Sequence, residues 1–552
     1  MKMFKTLALT GILAVAGTAC ADLDVTNLND PDRERAISTP GDVEALISGA
    51  FQTWWGATHY SSPSSALSVA ADSHSSSWGN WGMRDTGNEP RNPYNNEPSY
   101  SNRSIAETPW GEYYASLAAV RDGLLAIEGG LAIIDASGDQ TPRAKAFGKF
   151  LQGISHGYLA LLFDKGFVVD ETSELESLEF VTYQELMTAA VGYLNTAEQM
   201  AGAGNFTIPG NWVGDGQDWS GAYMQRVIRS YRARLLSQVG RTKAERDAAP
   251  WAQIMADAQN GVQASEPFGG QYNGDNWSWQ RHKLHTAGIS GWARIDYRTV
   301  GPADTSGNYA TWLAAGPDDK QPFNITTTDS RITGGAPNSD GSLIAYLGGS
   351  PFPASRGIYH YSNYIYSGWQ HLSTAASYAG FYADLTNKEM EFLIAEAMYR
   401  AGNFTGAAAT VNKYRANGGL PALTGTGANM VAPGGAASCV PRNNGSTCAN
   451  LLEALKYEKR IELFHYGLGT EFFDDRGWGD LVKDQWTQIP IPGSELMLLL
   501  EDIYTFGGSG GNSSAPNIVT DLSPEGLRTK RIAFERYHAA RQAEEGLDVI
   551  AN

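Results

Sequence analysis

The sequence predicts an all-α class protein, mostly helical, with tetratricopeptide-like helical pairs, long loop excursions and minor β, and three observations predict it. Apolar residues recur at helical spacing in the stretches 143–163, 182–200, 220–240, 388–401 and 406–416. In "EFLIAEAMYRAGNFTGAAATVNKYRA" (391–416), Ala395, Tyr399, Gly402 and Ala408 fall where a tetratricopeptide-like helical hairpin wants small or aromatic residues. Between the helices lie Gly/Pro/Asn-rich segments at 73–104, 264–353 and 419–450. Loops of that length are functional or carry partial structure of their own.

Taken in order, residues 1–19 read as a signal peptide and Cys20 as the residue it exposes. "MKMFKTLALTGILAVAGTAC" has Lys2 and Lys5, an apolar stretch from Leu7 to Val15, and a small-residue exit at Gly17-Thr18-Ala19. The apolar stretch is too short to span a membrane permanently. A cysteine directly after such a signal resembles a bacterial lipoprotein site, so Cys20 is the expected lipidation residue, with palmitate-type chains holding the protein at a bilayer. Residues 20–40 read as an extended acidic arm, and 41–552 as a single helical domain. Thr39-Pro40 opens its first helix, with Asp42 and Glu44 in the first turn, where negative charge suits the helix dipole.

The loop "SHSSSWGNWGMRDTGNEPRNPY" (73–94) places Trp78 and Trp81, with Tyr94, among Asn80, Arg84 and other polar residues. "QYNGDNWSWQRHKLH" (271–285) does the same with Tyr272, Trp277 and Trp279. Flat rings in polar loops can stack under the apolar face of a sugar while amides and charges bind its hydroxyl rim. The same rings could instead pin the loops to the helices or meet a protein partner. Trp78, Asn80, Trp81, Arg84, Tyr272, Trp277 and Trp279 are therefore the expected ligand-binding residues. "IYHYSNYIYSG" (358–368) reads as a short strand pair, its tyrosines packing rather than binding.

Cys439 and Cys448 sit in a Pro/Asn/Gly loop, "SCVPRNNGSTCAN", and in an exported chain that spacing reads as a disulfide. The helix expected over 450–465 puts Glu458 on its apolar stripe, and Arg476 is the expected partner in a structural ion pair. Asp474 and Asp475 are adjacent and poorly placed as two catalytic carboxylates, which must face one bond from opposite sides. "GGSGG" (507–511) lacks the strand and helix a nucleophile elbow requires. His282 and His285 lack further metal ligands nearby. No cofactor, metal or catalytic set is expected. The net charge of −18 on 552 residues argues against nucleic acid, which needs a concentrated cationic face.

Several motifs in order resemble those of the SusD/RagB family of nutrient-uptake lipoproteins: Cys20 followed by "DLDVTN", "ALISGAFQTWW", the 143–163 helix, "TDSRI" (328–332), "AEAMYRAGNFTGAAATVNKYRANGGLPAL" (395–423), "EKRIELFHYGLGTEFFDDRGWG" (458–479) and "IPIPGSEL" (489–496). The resemblance covers essentially 20–500, and the tail 510–552, with a helix expected at 524–545, departs from it. It implies a helical scaffold, outer-membrane placement facing the cell exterior, and a SusC-type TonB-dependent barrel as partner, over which the scaffold forms a lid. It also implies a non-enzymatic binding function whose ligand is a glycan, an oligosaccharide in particular. Peptide capture, as for RagB-like members and with the acidic charge of this chain favouring basic peptides, a surface glycoside hydrolase, and a tetratricopeptide assembly scaffold are the other readings.

Overall fold

Thr39 accepts a hydrogen bond from Asp42 N at 3.2 Å and Pro40 fills the first helical position, so helix α1 (Pro40–His59) begins where its cap residues require. The computed structural model describes residues 37, 39–214, 216–272, 293–349, 361–369, 372, 380–511 and 516–519. Among them the main helices after α1 are α2 (Ser61–Ala70), α3 (Ser104–Glu128), α4 (Thr141–Leu162), α5 (Tyr183–Ala203), α6 (Gly221–Gln238), α7 (Trp251–Gln259), α8 (Asn387–Arg400), α9 (Phe404–Asn417), α10 (Leu451–Glu462) and α11 (Thr470–Trp478). The chain has the mostly helical fold that its periodicity predicts. No described helix is long and apolar enough to cross a membrane.

The core is built around α4. Its expected face of Phe147, Phe150, Leu151, Ile154, Tyr158, Leu161 and Leu162 is buried, but so are Gln152, Ser155 and His156. From Phe150 to Leu162 every residue of this helix is buried, which a one-faced pattern does not predict. Two glycines permit that enclosure: a Cβ at Gly153 would lie 2.6 Å from the Leu194 side chain of α5, and one at Gly157 would lie 2.5 Å from Leu235 of α6. His156 is satisfied inside: Nδ1 lies 2.7 Å from the Gln152 carbonyl, and Nε2 accepts from Val169 N at 3.0 Å. That places the ring proton on Nδ1, and burial pushes the imidazole down to about 4, keeping it neutral.

Helices α8 and α9 form the predicted hairpin. Gly402 makes the turn in the left-handed region at φ +77°, and Thr386 and Asn403 cap the two helices. Ala395 and Ala408 are buried in a second apolar cluster with Leu451, Ala454 and Leu455 of α10.

Strands are short and occur in antiparallel pairs. They include β1 (His74–Ser75), β2 (Phe268–Tyr272), β3 (Arg294–Ile295), β4 (Ile344–Tyr346), β5 (Tyr364–Tyr366), β6 (Gly380–Leu385), β7 (Arg442–Asn443) and β8 (Thr447–Cys448). The partner of the tyrosine stretch is not within 358–368 as expected: β5 pairs with β4, Tyr346 opposite Tyr364. Hairpin β7–β8 turns through Asn444 and Gly445, both in the left-handed region, and Cys439 is bonded to Cys448.

The charged stretch 457–480 is a buried ion-pair network, and one predicted pairing is corrected. Glu458 pairs with Arg331, Oε2 to Nη1 at 2.7 Å, rather than with Arg476. Arg331 also holds Asp329 at 2.7 Å and Glu462 at 3.0 Å. Arg476 instead donates to the carbonyls of Leu161 (2.8 Å), Thr487 (2.9 Å) and Gln238 (3.0 Å). Two of those carbonyls belong to the last turns of α4 and α6, which lack intrahelical partners. Helix ends competed successfully for that guanidinium. Asp474 pairs with Lys459 at 2.7 Å and Arg246 at 3.1 Å.

Candidate functional site

The loop after α2 is rigid at its base and open at its tip. At the base, Asp72 accepts two hydrogen bonds from Arg91 Nη2, both at 2.6 Å. β1 then pairs with β3, His74 opposite Ile295 and Ser75 opposite Arg294. Ser75 Oγ donates to Asp296 Oδ2, and Asp296 N donates to the Ser73 carbonyl at 3.0 Å. Burial is the main cause holding the Asp296 carboxyl above the usual range, with the nearby Asp72 charge adding to it.

At the tip the chain makes a 3₁₀ turn over Asn80–Gly82 and a four-residue helical turn over Met83–Thr86. Arg84 N donates to the Trp78 carbonyl at 3.0 Å, which closes the turn. Met83 is fully buried and pins it to the core. Trp81 stands at φ +53° and Gly82 at φ +71°. The second position needs glycine twice over, because a Cβ there would also meet Ile105 Cδ1 at 2.3 Å. Tyr100 OH donates to Asp85 Oδ2 at 2.7 Å and braces the far side. Trp78 and Trp81 are half-buried, while Asn80 and Arg84 are exposed. A tryptophan in the left-handed region costs of order 1–3 kcal/mol and persists only when its surroundings over-determine it.

The sequence-predicted residues thus divide. Trp78, Asn80, Trp81 and Arg84 share one turn, whereas Tyr94 is only 5% exposed and packs edge-on to Trp486 at 5.7 Å, as core. Tyr272 ends β2 opposite Gly380 of β6. Trp277 and Trp279 lie outside the described residues.

A second feature is a polar cleft of about 590 Å³ between α10, hairpin β7–β8 and the segment 298–313. Sequence reasoning missed it, since its walls are far apart in the chain. Asp475 and Asp480 both line it and both bind Arg460 Nη2, at 2.6 and 2.7 Å. Burial holds the Asp475 carboxyl above the usual range, while Arg460 and Lys456 hold that of Asp480 below it. Opposite shifts on neighbouring carboxylates are a pattern of acid/base pairs. Here, however, a guanidinium nitrogen bonds to both, in the space a scissile bond would need, so the pair is built as an ion-pair bridge. No group of three or more potential metal ligands gathers among the described residues.

No protein-family model matches the sequence, and no curated protein matches it. Solved structures do. A SusD superfamily protein from Parabacteroides distasonis ATCC 8503 superposes with a TM-score of 0.52 at 13% identity, covering 83% of this chain and 97% of that one. A SusD superfamily protein from Bacteroides fragilis superposes with a TM-score of 0.50, also at 13% identity, covering 84% of this chain and 98% of that one. At that identity it is the architecture that is shared, and the fold of this chain is the fold of the SusD superfamily.

Proposed function

We propose that this chain is a non-enzymatic, lipid-anchored surface protein that captures a glycan and delivers it to a SusC-type TonB-dependent barrel. The observation that carries the reading is the Trp78–Arg84 turn. It holds Trp81 in the left-handed region and leaves its ring half-buried, with the exposed Asn80 and Arg84 beside it. A flat apolar surface rimmed by an amide and a guanidinium is the chemistry that receives a sugar ring and its hydroxyls. Trp277 and Trp279, expected from the sequence, are proposed as further ligand contacts. The shared architecture and the lipoprotein-type signal before Cys20 support a tethered scaffold that closes as a lid over the barrel and raises the local ligand concentration at its mouth.

The test is a glycan and peptide array probed with the protein from residue 21 onward, followed by calorimetric titration of the best ligand. Trp78→Ala, Trp81→Ala and Trp277→Ala should each weaken binding about tenfold or more, a loss of ~1.4 kcal/mol. Wild-type affinity in all of them would misplace the site. Binding of a basic peptide and of no glycan would overturn the ligand class. Release of reducing ends by the wild-type protein would overturn the non-enzymatic reading.

A further inference from the structure

We infer that the cleft between α10 and the disulfide hairpin binds an acidic sugar, its carboxylate held by Arg442. This rests on the glycan reading above and adds a second, charge-selective site to it.

The argument is a balance of charges inside one cavity. Its carboxylates already have cations: Asp72 has Arg91 at 2.6 Å, Glu453 has Lys456 at 2.8 Å, and Asp475 and Asp480 share Arg460. Among the arginines of the cleft, Arg298 holds Glu89 at 2.6 Å. Arg442 differs. It is only 9% exposed, and among the described residues no carboxylate oxygen lies within 4.0 Å of it. Its bonds go to two backbone carbonyls, Asp304 at 3.3 Å and Ser446 at 3.4 Å, both long for a charged donor, and its Nε is buried without a partner.

Two other buried guanidiniums without carboxylates, Arg241 and Arg476, are fixed more firmly. Arg476 reaches three carbonyls within 3.0 Å. A guanidinium carries five N–H donors, so Arg442 keeps three uncommitted. A cation taken out of water without an anion is costly, and a ligand carboxylate that accepts from its fork would remove the cost. The rest of the cleft suits a sugar ring. Asn443, Asn444 and Asn450 present amides, Tyr309 and Leu313 an apolar wall, and about 590 Å³ is room for one or two pyranose units. The disulfide between Cys439 and Cys448 ties down the hairpin that carries Arg442, so the backbone under the guanidinium is held in place before a ligand arrives.

The experiment compares uronate oligosaccharides with the same oligosaccharides after reduction of their carboxyl groups, by calorimetry, on the wild type, Arg442→Gln, Arg442→Lys and Trp81→Ala. We expect the acidic form to bind at least tenfold tighter than its reduced form, Arg442→Gln to erase that preference, and Arg442→Lys to restore part of it. The melting temperature of each variant confirms that it is folded. Equal binding of acidic and reduced forms, or an unchanged preference in Arg442→Gln, overturns this inference and leaves the glycan reading standing. If neither form binds and the array shows no glycan ligand, the glycan reading falls and takes this one with it.

Discussion

Replacing Arg331 with methionine should destabilise the protein by about 3–5 kcal/mol at pH 8.5, the cost of removing one partner from a buried charge cluster, and by distinctly less at pH 5.5. The magnitude follows from what the guanidinium touches. Arg331 is 1% exposed and pairs with Asp329, Glu458 and Glu462. Glu462 would keep Lys388 at 2.7 Å, and Asp329 would keep the Tyr457 hydroxyl at 2.7 Å. Glu458 would be left with Arg415 at 3.7 Å, so the uncompensated charge is chiefly its own.

The pH dependence has a definite sign. Burial raises the Glu458 carboxyl from 4.5 to about 7 even though Arg331 pulls it down. A raised group stabilises the folded state fully below its unfolded value, and that contribution is lost as pH rises through the folded one. In the wild type the loss runs from 4.5 to about 7 and is worth roughly 3 kcal/mol. Without Arg331 the folded value moves higher and the loss continues above pH 7. The penalty of the substitution therefore grows between pH 5.5 and 8.5, by about 1.4 kcal/mol for each further pH unit the carboxyl climbs. Urea denaturation followed by tryptophan fluorescence at the two pH values measures it. A penalty under 1 kcal/mol, or one equal at both pH values, would refute the buried-cluster argument. Glycan affinity should not change.

Two other outcomes follow from local geometry. Cys439→Ser with Cys448→Ser opens a loop of sequence separation 9 and should cost about 2.6 kcal/mol by loop-closure entropy, read as a lower urea midpoint; a midpoint equal to the wild type's would show that the hairpin needs no staple. Gly82→Ala forces a Cβ toward Ile105 at a position of φ +71° and should cost more than 1 kcal/mol while weakening glycan binding through Trp81; unchanged affinity would separate the turn from the site.

How far the sequence could be read depended on distance along the chain. The cap at Thr39-Pro40, the hairpin of α8 and α9, and the cysteine pair were all legible, because each is decided by residues within a few turns of one another. The burial of Glu458 was legible from its place on an apolar stripe, but its partner lies 127 residues away and was not. The Asp329-Ser-Arg331 triplet was a signal for that partner, since both charged side chains are turned into one buried knot. Tyr94 and Trp81 look alike in sequence, polar-loop rings both, yet one is core and the other half-buried on the tip.

Sequence alone determined that this chain is helical and that Glu458 belongs inside. Those outcomes follow from hydrophobic period and local hydrogen bonding, which act over a turn or two. The tertiary structure alone decided which cation meets which carboxylate, and that Arg442 meets none within reach among the described residues. Ion pairs and cavities are set by the packing of elements distant in the chain, where a shift of an ångström exchanges one partner for another.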